Sequence, residues 1–302
     1  MDNDNKMIHL IKEIVKTGIF KISFFGKKIL NENEGNKLIG EWLDSEKPFA
    51  IGRFGAVEAR CINKYINNIP YSEYNITSIK EAAGFFPNEP SYMNDFSEQY
   101  LLAAQELNLL AVWGVEGERK IVDRYCPKAC LTKIFALEPY FYKDPWSKHL
   151  KNKKVLIIHP FTETIRKQLE NNRTHIFQNV DVLPEFKSVS YIKAVQSNAE
   201  AKTEFNSWFD ALNYMCKEID KADFDVAIIG AGAYGLPLAA YCKKIGKQAI
   251  QMAGAMQILF GIRGKRWESR TEYISMMNSY WVRPSKRETP EGIQKVEGGS
   301  YW

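Results

Sequence analysis

The sequence predicts an α/β fold: a mostly parallel sheet with helices on both faces. Three observations predict it. Short apolar runs recur along the chain and are continuous rather than alternating, as in strands buried on both faces. Helical patterns separate them, as crossovers between parallel strands require. One run ends in a glycine-rich turn that opens directly into a helix.

In chain order, residues 1–45 read as helical, broken by the polar stretch NENEGN. Within them, residues 7–25 form a basic amphipathic pattern with Ile8, Ile11, Ile14 and Val15 on one face. Such a face packs on its own domain or makes peripheral contact with a membrane. Phe49-Ala50-Ile51-Gly52 reads as a buried strand closed by Arg53-Phe54-Gly55, with a helix over 56–66. Residues 68–96 read as loop with one helix, 97–107 as helix and 109–114 as strand. Val155-Leu156-Ile157-Ile158 is a clear strand, with His159 at its end and a helix over 163–170. A strand over 189–195 and a helix over 204–219 follow. Residues 225–229 are the strongest strand, with a helix over 236–245 and another strand over 248–252. Residues 284–302 read as an irregular tail.

The chain has 302 residues, of which 45% are hydrophobic and 25% charged, ample for a large core. Its net charge of +5 falls short of a nucleic-acid binder's footprint and suits an anionic small ligand. No nucleic-acid partner is expected, and nothing in the sequence sets an oligomeric state. The five cysteines offer neither a paired framework nor zinc spacing, which points to a reducing compartment. No signal peptide and no run of about 20 apolar residues is present. The expected location is cytoplasmic, with peripheral contact at the inner membrane face as an option.

Ligands of parallel sheets sit beyond the carboxyl ends of the strands. Four loops occupy that position: Arg53–Glu58, His159–Thr164, Gln196–Asn198 and Gly230–Gly235. The last reads Gly230-Ala231-Gly232-Ala233-Tyr234-Gly235. Its glycines suit a tight turn, close backbone approach and helix–strand packing, and the helix start offers N–H groups to a phosphate. A dinucleotide reading needs an acidic residue about 20 positions on. That region reads Gln248-Ala249-Ile250-Gln251-Met252, so an NAD(P)- or SAM-dependent enzyme remains only an alternative.

Arg53 is suited to clamp a diphosphate, and Glu58 to hold a metal or act as a base, unless the two form a local salt bridge. His159 is a catalytic or a structural histidine. Thr162 and Thr164 beside it suit helix capping or phosphate contact. Gln257, Arg263, Lys265 and Arg266 lie in a second glycine-rich, basic stretch that fits a pyrophosphate or a solvated turn. Tyr140, Phe141, Tyr142 and Trp146 line a sugar groove or fill core.

Three segments together resemble the bacterial GT-D-type glycosyltransferases of surface-polysaccharide loci. They are FAIGRFGAVEARCI, VLIIHPFTETIRKQ, and DVAIIGAGAYGLPLAAYCKKIGKQAI with its continuation AGAMQILFGIRGKRW. The resemblance implies a Rossmann-like, GT-D-like transferase with its nucleotide-sugar-binding domain over residues 46–283. It would move a sugar from a nucleotide-diphosphate donor, most often UDP-linked, to a glycan or lipid-linked glycan. It also implies Mn2+ or Mg2+ held by an Asp-x-Glu pair. Here Glu58 matches the Glu, and Ala56 stands at the Asp position. Either another carboxylate joins Glu58, or Arg53, Arg263, Lys265 and Arg266 replace the metal, or activity is altered or lost. In the last case the chain is a non-catalytic partner protein.

Overall fold

The computed structural model describes residues 18–198, 203–296 and 298–302. The predicted apolar face at Ile8, Ile11, Ile14 and Val15 lies outside them. The strands are β1 (Ile29–Leu30), β2 (Phe49–Gly52), β3 (Leu109–Val112), β4 (Cys130–Lys133), β5 (Lys154–His159), β6 (Ser188–Lys193), β7 (Val226–Ile229) and β8 (Gln248–Gln251). They form one sheet in the order β1-β4-β3-β2-β8-β7-β5-β6, and every pairing is parallel. The predicted fold class is therefore the observed one.

The longer helices are α1 (Glu32–Asp44), α2 (Ala56–Ile66), α3 (Glu73–Glu81), α4 (Pro90–Gln105), α5 (Glu118–Tyr125), α6 (Thr162–Asn171), α7 (Trp208–Lys221) and α8 (Gly235–Lys244). β2, β3, β7 and β8 are buried at every residue, which explains their unbroken apolar reading. Side chains still alternate between two cores. In β7, Ala227 and Ile229 join the core under α2, α4, α7 and α8. Val226 and Ile228 join the opposite core, with Ile39 of α1, Ile165 of α6, and Met256, Ile258, Leu259 and Phe260.

The stretch NENEGN does not break a helix; it begins one. Asn31 caps α1, accepting from the Glu34 N–H, while the Glu34 carboxylate accepts from the Asn31 N–H. This reciprocal cap makes a polar cluster a helix start. Ahead of it, β1 within residues 1–45 is a strand of the same sheet, paired with β4. β4 itself has exposed ends and only two buried residues, so it lacks the apolar run of its neighbours. Tyr140 and Trp146 fill the core beneath α1 rather than a groove. The cysteines are free thiols. Among the described residues, no helix is long and apolar enough to cross a membrane.

Candidate active site

Four strand ends meet over one cavity of about 180 Å³. The chain leaving β2 and β7 turns to one face of the sheet, into α2 and α8. The chain leaving β5 and β8 turns to the other, into α6 and the segment from Met256. In the order β2-β8-β7-β5 these exits alternate, which opens a crevice between diverging loops. Arg53, Gly55 and Glu58 line it from β2, His159 from β5, and Ser197 and Asn198 from beyond β6. Gly230, Gly232 and Tyr234 line it from β7, with Gln257 and Arg266 beyond β8.

The glycine loop has a distinct reason for each glycine. A Cβ on Gly230 would lie 2.6 Å from His159 Cδ2 and 2.9 Å from the Ala253 carbonyl oxygen. Gly232 has φ of +53° and open space where a Cβ would project. A Cβ on Gly235 would lie 2.9 Å from Gln251 Cγ, so this glycine seats α8 against β8 and does not line the cavity. Tyr100 of α4 pins the turn by donating to the Ala233 carbonyl at 2.6 Å. The Tyr234 ring stacks on Trp208, and its hydroxyl meets Ser197 Oγ at 2.8 Å. Tyr234 is thus a wall held from behind.

Arg53 is placed by its backbone and its side chain together. Its N–H donates to Gln251 Oε1 at 2.8 Å. Its guanidinium lies 5.3 Å from the Trp113 ring centre and donates to the Phe54 carbonyl at 3.3 Å. Trp113 Nε1 donates to the same carbonyl at 2.9 Å. Behind Trp113, the buried Glu118 carboxylate accepts the N–H groups of Gly114 at 2.7 Å and Trp113 at 3.1 Å. Burial pushes Glu118 up to about 7, against the pull of those N–H groups and of Arg53.

His159 is buried, and burial drives it down to about 3. Its Nδ1 accepts the Phe161 N–H at 2.9 Å. The neutral ring therefore carries its proton on Nε2 and offers the cavity wall a donor rather than a base.

Thr162 lies outside the cavity, and the helix end it begins is already filled. Glu288 from the tail accepts from the Glu163 N–H at 2.7 Å, the Thr164 N–H at 3.2 Å, and the Thr164 hydroxyl. A carboxylate thus sits where a phosphate was expected. Arg263 and Lys265 also lie off the cavity, so the basic stretch contributes Arg266 alone. Gln257 lines the wall, with its amide donating to the carbonyls of Ile262 and Tyr301.

No protein-family model matches the chain. No curated protein matches it either. A solved structure of domain of unknown function 1792, with selenomethionine, is similar at 16% identity over 92% of this chain and 93% of that one, with a TM-score of 0.48. A second, described as that domain with a distinct glycosyltransferase fold, has 16% identity, the same coverages and a TM-score of 0.47. A third, described as a new glycosyltransferase from Streptococcus sanguinis, has 11% identity over 88% of this chain and 93% of that one, with a TM-score of 0.46.

Glu58 occupies the third position of α2, and its carboxylate folds back over Gly55, where a Cβ would meet it at 2.0 Å. Among the described residues no group of three or more His, Cys, Asp or Glu is placed to hold a metal. His159 Nδ1 is engaged, and Glu118 lies off the cavity wall, its Oε2 accepting two backbone amides. This donor set does not fit a protein-built metal centre.

Sequence reasoning passed over several wall residues, among them Tyr100, Trp113, Gln251, Tyr301 and Trp302. Trp113 follows β3 immediately, so the strand-end rule that selected Arg53 and His159 applies to it equally. Tyr301 and Trp302 come from the tail. The Trp302 indole donates to the Glu288 carbonyl at 3.1 Å, and its ring lies against Phe161. Arg266 donates to the Tyr301 hydroxyl at 3.0 Å.

Proposed function

We propose that this chain is a glycosyltransferase that moves a sugar from a nucleoside-diphosphate donor to a hydroxyl acceptor. The observation that carries the reading is the convergence on one crevice of two guanidinium groups, Arg53 and Arg266, with the glycine loop that starts α8. That combination suits a diphosphate: planar cations for its oxygens and close backbone approach for its bulk. The three sequence segments resembling GT-D-type enzymes supply the strand ends of the same crevice. UDP is the nucleotide the resemblance favours.

In the reaction, a bond forms from the acceptor oxygen to the anomeric carbon. The bond from that carbon to the diphosphate oxygen breaks, and its electron pair leaves with the diphosphate. Arg53, Arg266 and the backbone of the glycine loop at Gly230–Gly232 stabilise that charge as it develops. His159 donates its Nε2 proton as a hydrogen bond and stays neutral. The acceptor proton goes to Glu58, the one carboxylate on the cavity wall among the described residues. No step is assigned to a metal.

A panel of nucleotides and nucleotide sugars, read by thermal shift and then by release of nucleoside diphosphate, tests the reading. A shift with one diphosphate series is expected. In that series Glu58→Gln lowers turnover by about 100-fold or more while donor affinity is held. A shift with NAD or SAM alone, or with none of the panel, would sink it.

A further inference from the structure

Residues 18–23 are helical and turn at 24–26 beside α5. Phe20 and Phe24 point inward. Their rings lie 5.1 Å apart, Phe24 is buried, and Phe20 packs over Gly114. The other face carries Ile19, Ile22 and Phe25, which are 53%, 79% and 84% exposed. Three large apolar side chains this open, at a spacing of three, form a contiguous patch rather than scattered exposure. Arg119 of α5 holds the patch rigidly, donating to the carbonyls of Ser23 at 2.8 Å and Phe25 at 3.0 Å. Lys27 adds an ion pair to Asp123 at 2.6 Å.

The patch is bordered by cations: Lys21 and Lys28 are both exposed. The sequence ahead of it repeats the same composition, with Ile8, Ile11, Ile14 and Val15 among Lys6, Lys12 and Lys16. Its place in the sheet is specific. Phe20 lies over Gly114, one residue beyond Trp113, which lines the cavity. The patch therefore sits at the carboxyl edge of the sheet, the edge onto which the cavity opens.

We propose that this face docks on an anionic phospholipid surface, with Ile19, Ile22 and Phe25 entering the interface and Lys21 and Lys28 meeting the headgroups. Apolar side chains ringed by lysine fit that partner on both counts, burial and charge. A soluble acidic protein would match the lysines without needing three apolar anchors. Docking brings the cavity edge to the bilayer, where an acceptor with a lipid tail would present its polar end. The docking stands independently of the reaction.

The test is co-sedimentation of the full chain with vesicles of mixed phosphatidylglycerol and phosphatidylcholine, and with phosphatidylcholine alone. The chain is expected to bind the mixed vesicles, to leave phosphatidylcholine alone in the supernatant, and to release as salt rises. Ile22→Asp combined with Phe25→Asp abolishes binding. Lys21→Glu combined with Lys28→Glu lowers it by about tenfold or more. Thermal melts match the parent chain in both, because these side chains are exposed. Absence of binding to mixed vesicles, equal binding to neutral ones, or retention by the Asp variant overturns the proposal. So does a concentration-dependent dimer that the Asp variant dissolves, since the face would then serve a second copy.

Discussion

His159 Nδ1 accepts the Phe161 N–H at 2.9 Å, which fixes the tautomer of a ring that burial keeps neutral. The consequence for stability has a definite sign. The unfolded histidine binds a proton below its ordinary 6.5, and the folded one only near 3. Its contribution is complete above 6.5 and is lost as pH falls, by about 1.4 kcal/mol per pH unit. Glu118 acts in the opposite sense. Its ordinary 4.5 is raised to about 7, so its contribution is complete below 4.5 and is lost as pH rises to 7. Between 4.5 and 6.5 the two slopes oppose each other. Urea unfolding across that range is expected to show stability falling with pH in His159→Gln and rising with pH in Glu118→Gln. Parallel profiles in the two variants would contradict these environments.

The glycine loop separates two costs. Gly230→Ala places a methyl against the His159 ring and a backbone carbonyl, an overpacking worth about 1–3 kcal/mol. Gly232→Ala meets no atom but strains a positive φ, worth about 1–2 kcal/mol, and its methyl projects into the open cavity. Calorimetric melts with and without nucleoside diphosphate are expected to show Gly230→Ala as mainly a stability defect. Gly232→Ala is expected to lose ligand affinity beyond its stability cost.

Arg53 is a planar cation resting on Trp113, so charge alone does not replace it. Arg53→Ala is expected to weaken nucleoside-diphosphate binding by about 1.5–3 kcal/mol. Arg53→Lys recovers only part of that loss. Full recovery by lysine, measured by titration calorimetry, would show that fork geometry and stacking are irrelevant.

Glu288 ties the tail to the start of α6 through two N–H groups and the Thr164 hydroxyl. Glu288→Gln keeps the shape and removes the charge, and is expected to cost about 1 kcal/mol by chemical denaturation. Because the Trp302 indole donates to the Glu288 backbone carbonyl rather than its side chain, ligand affinity should change little.

Most of the sheet was legible because its central strands are buried on both faces, and continuous apolar runs are hard to mistake. β1 and β4 were not. Two residues and a polar-ended four-residue strand leave no such run, and NENEGN hid a helix start inside a polar cluster. At the site, residues adjacent to strand ends were readable: Arg53, His159, Gly230 and Gly232 all line the crevice. Thr162 lies off the cavity, and the carboxylate that fills the start of its helix comes from 125 residues beyond Glu163, out of reach of any local reading. Arg263 and Lys265 show the limit of reading a basic run, since only Arg266 reaches the cavity. Tyr301 and Trp302 were invisible for the same reason as Glu288: a polar, glycine-rich tail says nothing locally about where its aromatics land.

Titration calorimetry of the chain with UDP, in the presence of a chelator and repeated with Arg53→Ala, tests the central claim most directly. The account predicts one binding site that persists without divalent metal and is weakened at least tenfold in the variant, about 1.4 kcal/mol or more. Absence of heat with UDP and with every other nucleoside diphosphate, or binding that Arg53→Ala leaves untouched, would contradict it.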